Sequence, residues 1–230
     1  WGHAPINGFV QENDHPRFRD AASAVDSGAY DAVVLTEMVE IRDAIRYHAS
    51  ADYLGLWARR AWGANPRAQV YLYETWHAID DPEGWLARLD RDGARYWEGE
   101  ILRRSLAQEG MDRPIHVIPA GQVFARFVRE IEARGGVDGL RSEADLFARG
   151  PDGRQDTIHV NDLGAYLVAL THYAVLYRRS PAGLPRRLLR ADGVAAIAPG
   201  PEAARLMQDI VWDVVRAHPL SGVRPASSPR

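Results

Sequence analysis

Three short apolar runs, at 31–37 (DAVVLTE), 68–75 (AQVYLYET) and 114–119 (PIHVIP), are separated by stretches of helical periodicity one to two dozen residues long. That alternation leaves few folds open. Strands joined through helices pair in parallel by right-handed crossovers, and the helices must cover the sheet. The pattern predicts an α/β chain, a three-layer α/β/α sandwich around a parallel sheet, in one domain over 1–230. Active groups in such a sheet gather beyond the C-terminal ends of its strands.

The first run, with adjacent Val33 and Val34, follows a helical-looking stretch at 16–26 and Gly28, and reads as a buried strand. Ser50 suits a helix N-cap, with Tyr53, Leu54, Trp57, Ala58 and Ala61 recurring until Asn65-Pro66 stops the helix. Residues 85–106 read as one helix, with Trp85, Leu89, Trp97, Ile101 and Leu102 on one side. Residues 120–134 form the next, ended by the pair Gly135-Gly136. A Gly/Asp/Arg-rich loop is expected at 149–155 and a long helix at 161–177. A Pro/Gly-rich connection at 181–200 leads to a last helix opened by Gly200-Pro201, with a frayed tail at 225–230.

Charge removes one class of partner. The formal net charge is −3, so no surplus exists to neutralise a phosphate backbone or an anionic membrane, and nucleic acid is not an expected partner. All 28 basic residues are arginine. With no cysteine, disulfides, thiolate nucleophiles and Cys-ligated zinc are ruled out, leaving oxygen and imidazole chemistry. No apolar run approaches the ~20 residues needed to span a bilayer. Trp1 stands where a starting methionine would, so the chain reads as trimmed, processed or incomplete.

Asp156-Thr157-Ile158-His159 is the strongest chemical signal. At that spacing the carboxylate can fold back onto one ring nitrogen, fixing the tautomer and leaving the other nitrogen to act as a general base. The plainer use of a D-x-x-H is a helix-capping loop with a solvated histidine. His77, Glu74, Glu37 and His159 could be imagined around a divalent ion, but no compact ligand pattern supports a metal, and none is expected. No cofactor is implied.

The run D-T-I-H-V-N-D-L-G-A-Y-L at 156–167 resembles the last conserved block of the SGNH (GDSL-like) hydrolases, in which aspartate and histidine complete a serine triad. The likeness extends to V-V-L-T-E-M, N-P-R-A-Q-V-Y-L-Y-E-T-W-H and H-Y-A-V-L-Y-R-R-S-P-A-G-L-P, similar to a bacterial branch of that superfamily. It implies a flavodoxin-like sandwich and an ester hydrolase, acting on a small-molecule or carbohydrate ester such as a sugar acetate. His159 would be the base and Asp156 its orienting partner.

Two departures stand out. No strand followed by G-D-S or G-H-S is visible, and the resemblance places the first strand and its serine upstream of Trp1. Gly2, with Ala4, Pro5 and Ile6, resembles the second block, whose glycine amide serves the oxyanion hole. Gly2-His3-Ala4 is the weaker alternative, with Ala4 in place of the nucleophile. Asp26-Ser27-Gly28 precedes a strand instead of following one and reads as a helix end. The family's G-x-N-D is replaced by Thr36-Glu37, where Thr36 keeps a donor hydroxyl and an ionised Glu37 would repel an oxyanion. Glu74, Trp76 and His77 should reach the same rim as Glu37, with Asn161 and Asp162 capping the following helix. The rival expectation is a catalytically silent glycan-binding or scaffold protein of the same fold. Oligomeric state is not legible.

Overall fold

A computed structural model describes residues 19–223. Gly2, Ala4, the start of the helical-looking stretch at 16–26 and the tail at 225–230 lie outside the described residues. The chain is mixed α/β, with a three-stranded parallel sheet flanked by helices. Its contacts divide it into two compact units, crossed between at 74/75, 91/92 and 117/118.

The first unit opens with α1 (Ala21–Asp26), whose N-cap Asp20 accepts from Ser23 N and whose C-cap is Ser27. Gly28 then turns at φ 65°, where a Cβ would run into the Ala64 carbonyl. β1 (Ala32–Thr36) pairs in parallel with β2 (Gln69–Glu74), from Ala32 opposite Gln69 to Thr36 opposite Tyr73. β3 (Ile115–Pro119) follows β2 in the sheet, giving the order β1-β2-β3.

Position in that order corrects the reading of 31–37 as a buried strand. β2 is buried along most of its length, whereas β1 alternates between exposed and half-buried. Among the described residues it is an edge strand, paired only with β2. Along its length runs a cavity of about 440 Å3 lined by every residue from Ala32 to Glu37. Successive side chains point to opposite faces of a sheet, so a cavity touched by both sets lies beside the free edge.

Two helices connect β1 to β2. α2 (Ile41–His48), absent from the sequence expectation, has Glu40 as N-cap. Ala49 then adopts a left-handed conformation, φ 48°, and it, not Ser50, is the N-cap of α3 (Ser50–Ala64). Ser50 becomes the first residue of that helix and is buried. The stretch expected as one helix at 85–106 is α4 (Trp85–Asp92), a π-helical segment at Gly93–Arg103 and a short α5 (Arg104–Leu106). Trp97, Ile101 and Leu102 still face inward.

The second unit contains α6 (Ala120–Ala133), which buries Val123, Phe124, Phe127, Val128 and Ile131. It ends as its two glycines predict. Gly135 N donates to Glu132 O and Gly136 N to Ile131 O, both glycines at positive φ, which closes the last open carbonyls. β4 (Phe147–Arg149) and β5 (Gln155–Val160) form an antiparallel hairpin, and α7 (Asp162–Tyr177) follows directly. α8 (Pro201–Ala217) starts at Gly200 with proline in its first turn, and Asp138 caps it from another part of the chain by accepting from Glu202 N and Ala203 N. No helix among the described residues is long and apolar enough to cross a membrane.

Candidate active site

Where a loop was expected, the Asp156–His159 pair stands on a strand, and the hairpin's register explains its geometry. Phe147 pairs with Val160 and Arg149 with Gln155, so the single residue Ala148 opposes the four residues 156–159. The surplus must bulge, and bulges re-aim side chains. The turn is the one its G-P-D-G sequence asks for: Gly153 N donates to Gly150 O, Arg154 N to Asp152 Oδ1, and Gly153 sits at φ 78°.

Within the bulge Asp156 uses both carboxylate oxygens. Oδ1 accepts from Ile158 N at 2.9 Å and His159 N at 2.8 Å, and Oδ2 meets His159 Nδ1 at 2.8 Å. The two backbone donors, then the imidazole, pull the Asp156 carboxyl down to about 2. An ionised carboxylate only accepts, so Nδ1 carries the proton in the neutral ring. Nε2 is thereby left as the acceptor, on a side chain 74% exposed. This is an oriented, accessible base.

The bulge is held from behind. The segment directly after β2 supplies two donors: Trp76 Nε1 to Ile158 O at 2.9 Å, and Ile79 N to Thr157 O at 2.9 Å. Trp76 is only 8% exposed, packed 4.8 Å from Phe124 and edge-on to Phe147. Gln155 ties the far side through Nε2 to Ala148 O and Asp156 O.

Asn161 locks the strand to the helix. Its Oδ1 caps α7 through Leu163 N and Gly164 N, while its amide donates to Asp145 O and Phe147 O. Asp162 does not share the capping. It accepts from Arg190 Nε and Nη2 and from Ile197 N, anchoring the 181–200 connection. Gly164 is required by close approach, since a Cβ there would collide with Leu146 O and with Val160 Cβ. Each polar or small residue of H-V-N-D-L-G therefore has a structural task.

The other sequence-predicted residues fall elsewhere. Thr36 donates its hydroxyl to Tyr73 O at 2.9 Å, so that proton is committed within the sheet and not turned toward an oxyanion. Glu37 is half-buried and lines the β1 cavity with Thr36. Glu74, the last residue of β2, is 2% exposed. Trp76 and His77 are buried, the ring of Trp76 spent on aromatic packing and the His77 carbonyl on the Trp85 indole. An open sugar-facing rim at Trp76 is thus replaced by a buried support. Among the described residues no group of three His, Asp or Glu side chains gathers as a metal site would.

Sequence reasoning missed the β4–β5 hairpin, the Trp76 to Ile158 bond and the double role of Asn161. The G-P-D-G tetrapeptide between F-A-R and Q-D-T-I-H-V was the available signal for the first. No family model, curated protein or solved structure matches this chain.

Proposed function

We propose that this chain carries the Asp-His half of a serine ester hydrolase of SGNH type, acting on a small-molecule or carbohydrate ester, with acetyl groups on sugars as the favoured class. The supporting observation is the two-oxygen grip of Asp156 on His159, which orients the ring, accepts from the Nδ1 proton and leaves Nε2 as the acceptor.

The chemistry follows from that nitrogen. Nε2 accepts the proton of a serine hydroxyl as its oxygen bonds to the ester carbonyl carbon, giving a tetrahedral oxyanion and an imidazolium that Asp156 stabilises. The imidazolium returns the proton to the departing alkoxide as the C–O bond breaks, leaving an acyl-serine. Water, deprotonated by the same Nε2, attacks the acyl carbon, and the proton passes back to serine as the acid leaves. By the resemblance, the serine and the oxyanion-hole donors would come from outside the residues that the structure describes. The same reading makes the fold a three-layer sandwich with a further strand beside β1, favoured by the edge that β1 leaves unpaired among the described residues and by the cavity along it.

The commitment of the Thr36 hydroxyl to Tyr73 O favours a second reading, a catalytically silent glycan-binding or scaffold protein of the same fold. Hydrolysis of 4-nitrophenyl acetate by a chain extended through its upstream reading frame separates the two. The hydrolase reading expects His159→Ala to lower kcat/KM by about a thousandfold or more. Equal rates would leave the silent reading.

A further inference from the structure

Residues 188–196 form a short hairpin beside the candidate active site. Leu189 bridges Ala195, Arg190 N donates to Val194 O, Ala196 N to Leu188 O, and Gly193 turns at φ 85°. Its base is pinned to Asp162, three residues beyond His159, by the Arg190 guanidinium and by Ile197 N. Bridged residues in antiparallel strands point to the same face, and so do their neighbours two positions away. One face therefore carries Leu188, Arg190 and Val194, the side tied to Asp162. The other carries Arg187, Leu189, Ala195 and Ile197.

That second face is open. Leu189 is 70% exposed and Ile197 66%, with Arg187 and Ala195 also exposed. Nine large apolar residues are exposed among the described residues, and four of them (Leu188, Leu189, Val194 and Ile197) fall within this ten-residue stretch. Scattered exposed apolar residues are ordinary, but a concentration on one pinned projection marks a contact surface.

We propose that the 186–197 hairpin is a docking element for a lipid surface with anionic headgroups. Charge selects that occupant. Residues 186–197 hold Arg186, Arg187 and Arg190 against Asp192, and with Arg190 paired to Asp162 the hairpin and its anchor keep a net of +1, which leaves −4 for the rest of a chain whose total is −3. The rest of the protein is thus repelled by an anionic surface and the hairpin is the part drawn to it. A second copy fits less well, because a like face brings no carboxylate to meet Arg187. Nucleic acid offers nothing for Leu189 and Ile197 to enter. A projecting hairpin, unlike a groove, inserts its side chains into a deformable apolar medium. The inference rests on the hairpin alone and stands whether or not the chain hydrolyses esters.

Flotation of the full chain with vesicles of phosphatidylcholine and phosphatidylglycerol (7:3), against phosphatidylcholine alone, tests it. The expected result is binding to the anionic vesicles only, weakened about fivefold in Arg187→Gln and about a hundredfold in Leu189→Ser/Ile197→Ser. Thermal melts of both variants equal to the parent's establish that the fold is intact, as expected for exposed positions. Absence of flotation, equal binding to neutral vesicles, or unchanged binding by the Leu189/Ile197 variant would each overturn the proposal. So would a dimer abolished by that variant without any vesicle binding.

Discussion

The indole of Trp76 donates to the carbonyl of Ile158 at 2.9 Å, joining the segment that leaves β2 to the bulge that carries His159. The bond reaches across 82 residues of sequence and lands one residue before the imidazole. An aromatic buried by Phe124 and Phe147 is a rigid support, so the position of the His159 backbone depends on a side chain bonded to the residue before it.

Trp76→Phe keeps most of the ring and deletes the donor. Leaving the Ile158 carbonyl without it should lower stability by about 1–2 kcal/mol, read as a urea midpoint shift at unchanged m value. On the proposed hydrolase reading the same change should reduce kcat with little effect on KM, because it acts on the base and not on substrate binding.

Gly164→Ala reverses a general rule. Alanine normally improves a helix interior over glycine by about 1 kcal/mol. Here the new methyl would strike Leu146 O and the Val160 side chain, so a loss of about 1–3 kcal/mol is expected in chemical denaturation.

Asn161→Asp separates the two tasks of that side chain. The carboxylate can still cap α7 through Leu163 N and Gly164 N, but it cannot donate to Asp145 O and Phe147 O. If the cross-link matters, the variant should be destabilised by more than the roughly 1 kcal/mol of a lost cap, although its cap survives. A parent-like melt would show that capping alone is its role.

Arg88 and Asp81 form a buried ion pair at 2.6 Å, the arginine side chain only 1% exposed. Asp81→Leu takes a charge-assisted hydrogen bond from a buried guanidinium and should cost about 1.5–3 kcal/mol, read as a urea midpoint shift.

Stability should fall in acid in two steps. Burial of His218 pushes its ring down to about 4, so the folded chain resists a proton that the unfolded chain takes up near 6.5. That contribution is intact above pH 6.5 and lost between there and pH 4, with a slope of up to about 1.4 kcal/mol per pH unit. Asp156, depressed to about 2, contributes above its ordinary carboxylate value, and that contribution disappears as pH falls from there toward 2. His218→Gln should lessen the upper step without abolishing it in melts recorded from pH 7.5 to 4, because burial also lowers His172.

Much of this arrangement is legible before any coordinates. Strong periodicity marks β2, β3, α3, α6 and α7, and D-x-x-H spacing suffices to pair Asp156 with His159. What stays hidden is set by tertiary context. Nothing local shows that V-V-L stands at a sheet edge, since edge and centre strands differ in neighbours and not in composition. Ala49 occupies a left-handed cap that alanine seldom takes, so the break between α2 and α3 has no residue signature. β5 is bulged and β4 only three residues long, so neither shows period-two alternation. Trp76 reads as a rim aromatic because its burying partners, Phe124 and Phe147, are distant in sequence.

The most direct test of the central claim is the tautomer of His159, observed by two-bond 1H–15N correlation of the imidazole at pH 8.5 with the spectrum assigned by His159→Gln. A proton fixed on Nδ1 and a bare Nε2 are expected, collapsing to a mixed population in Asp156→Asn. A proton on Nε2, or a ring whose tautomer ignores the Asp156 substitution, would contradict it.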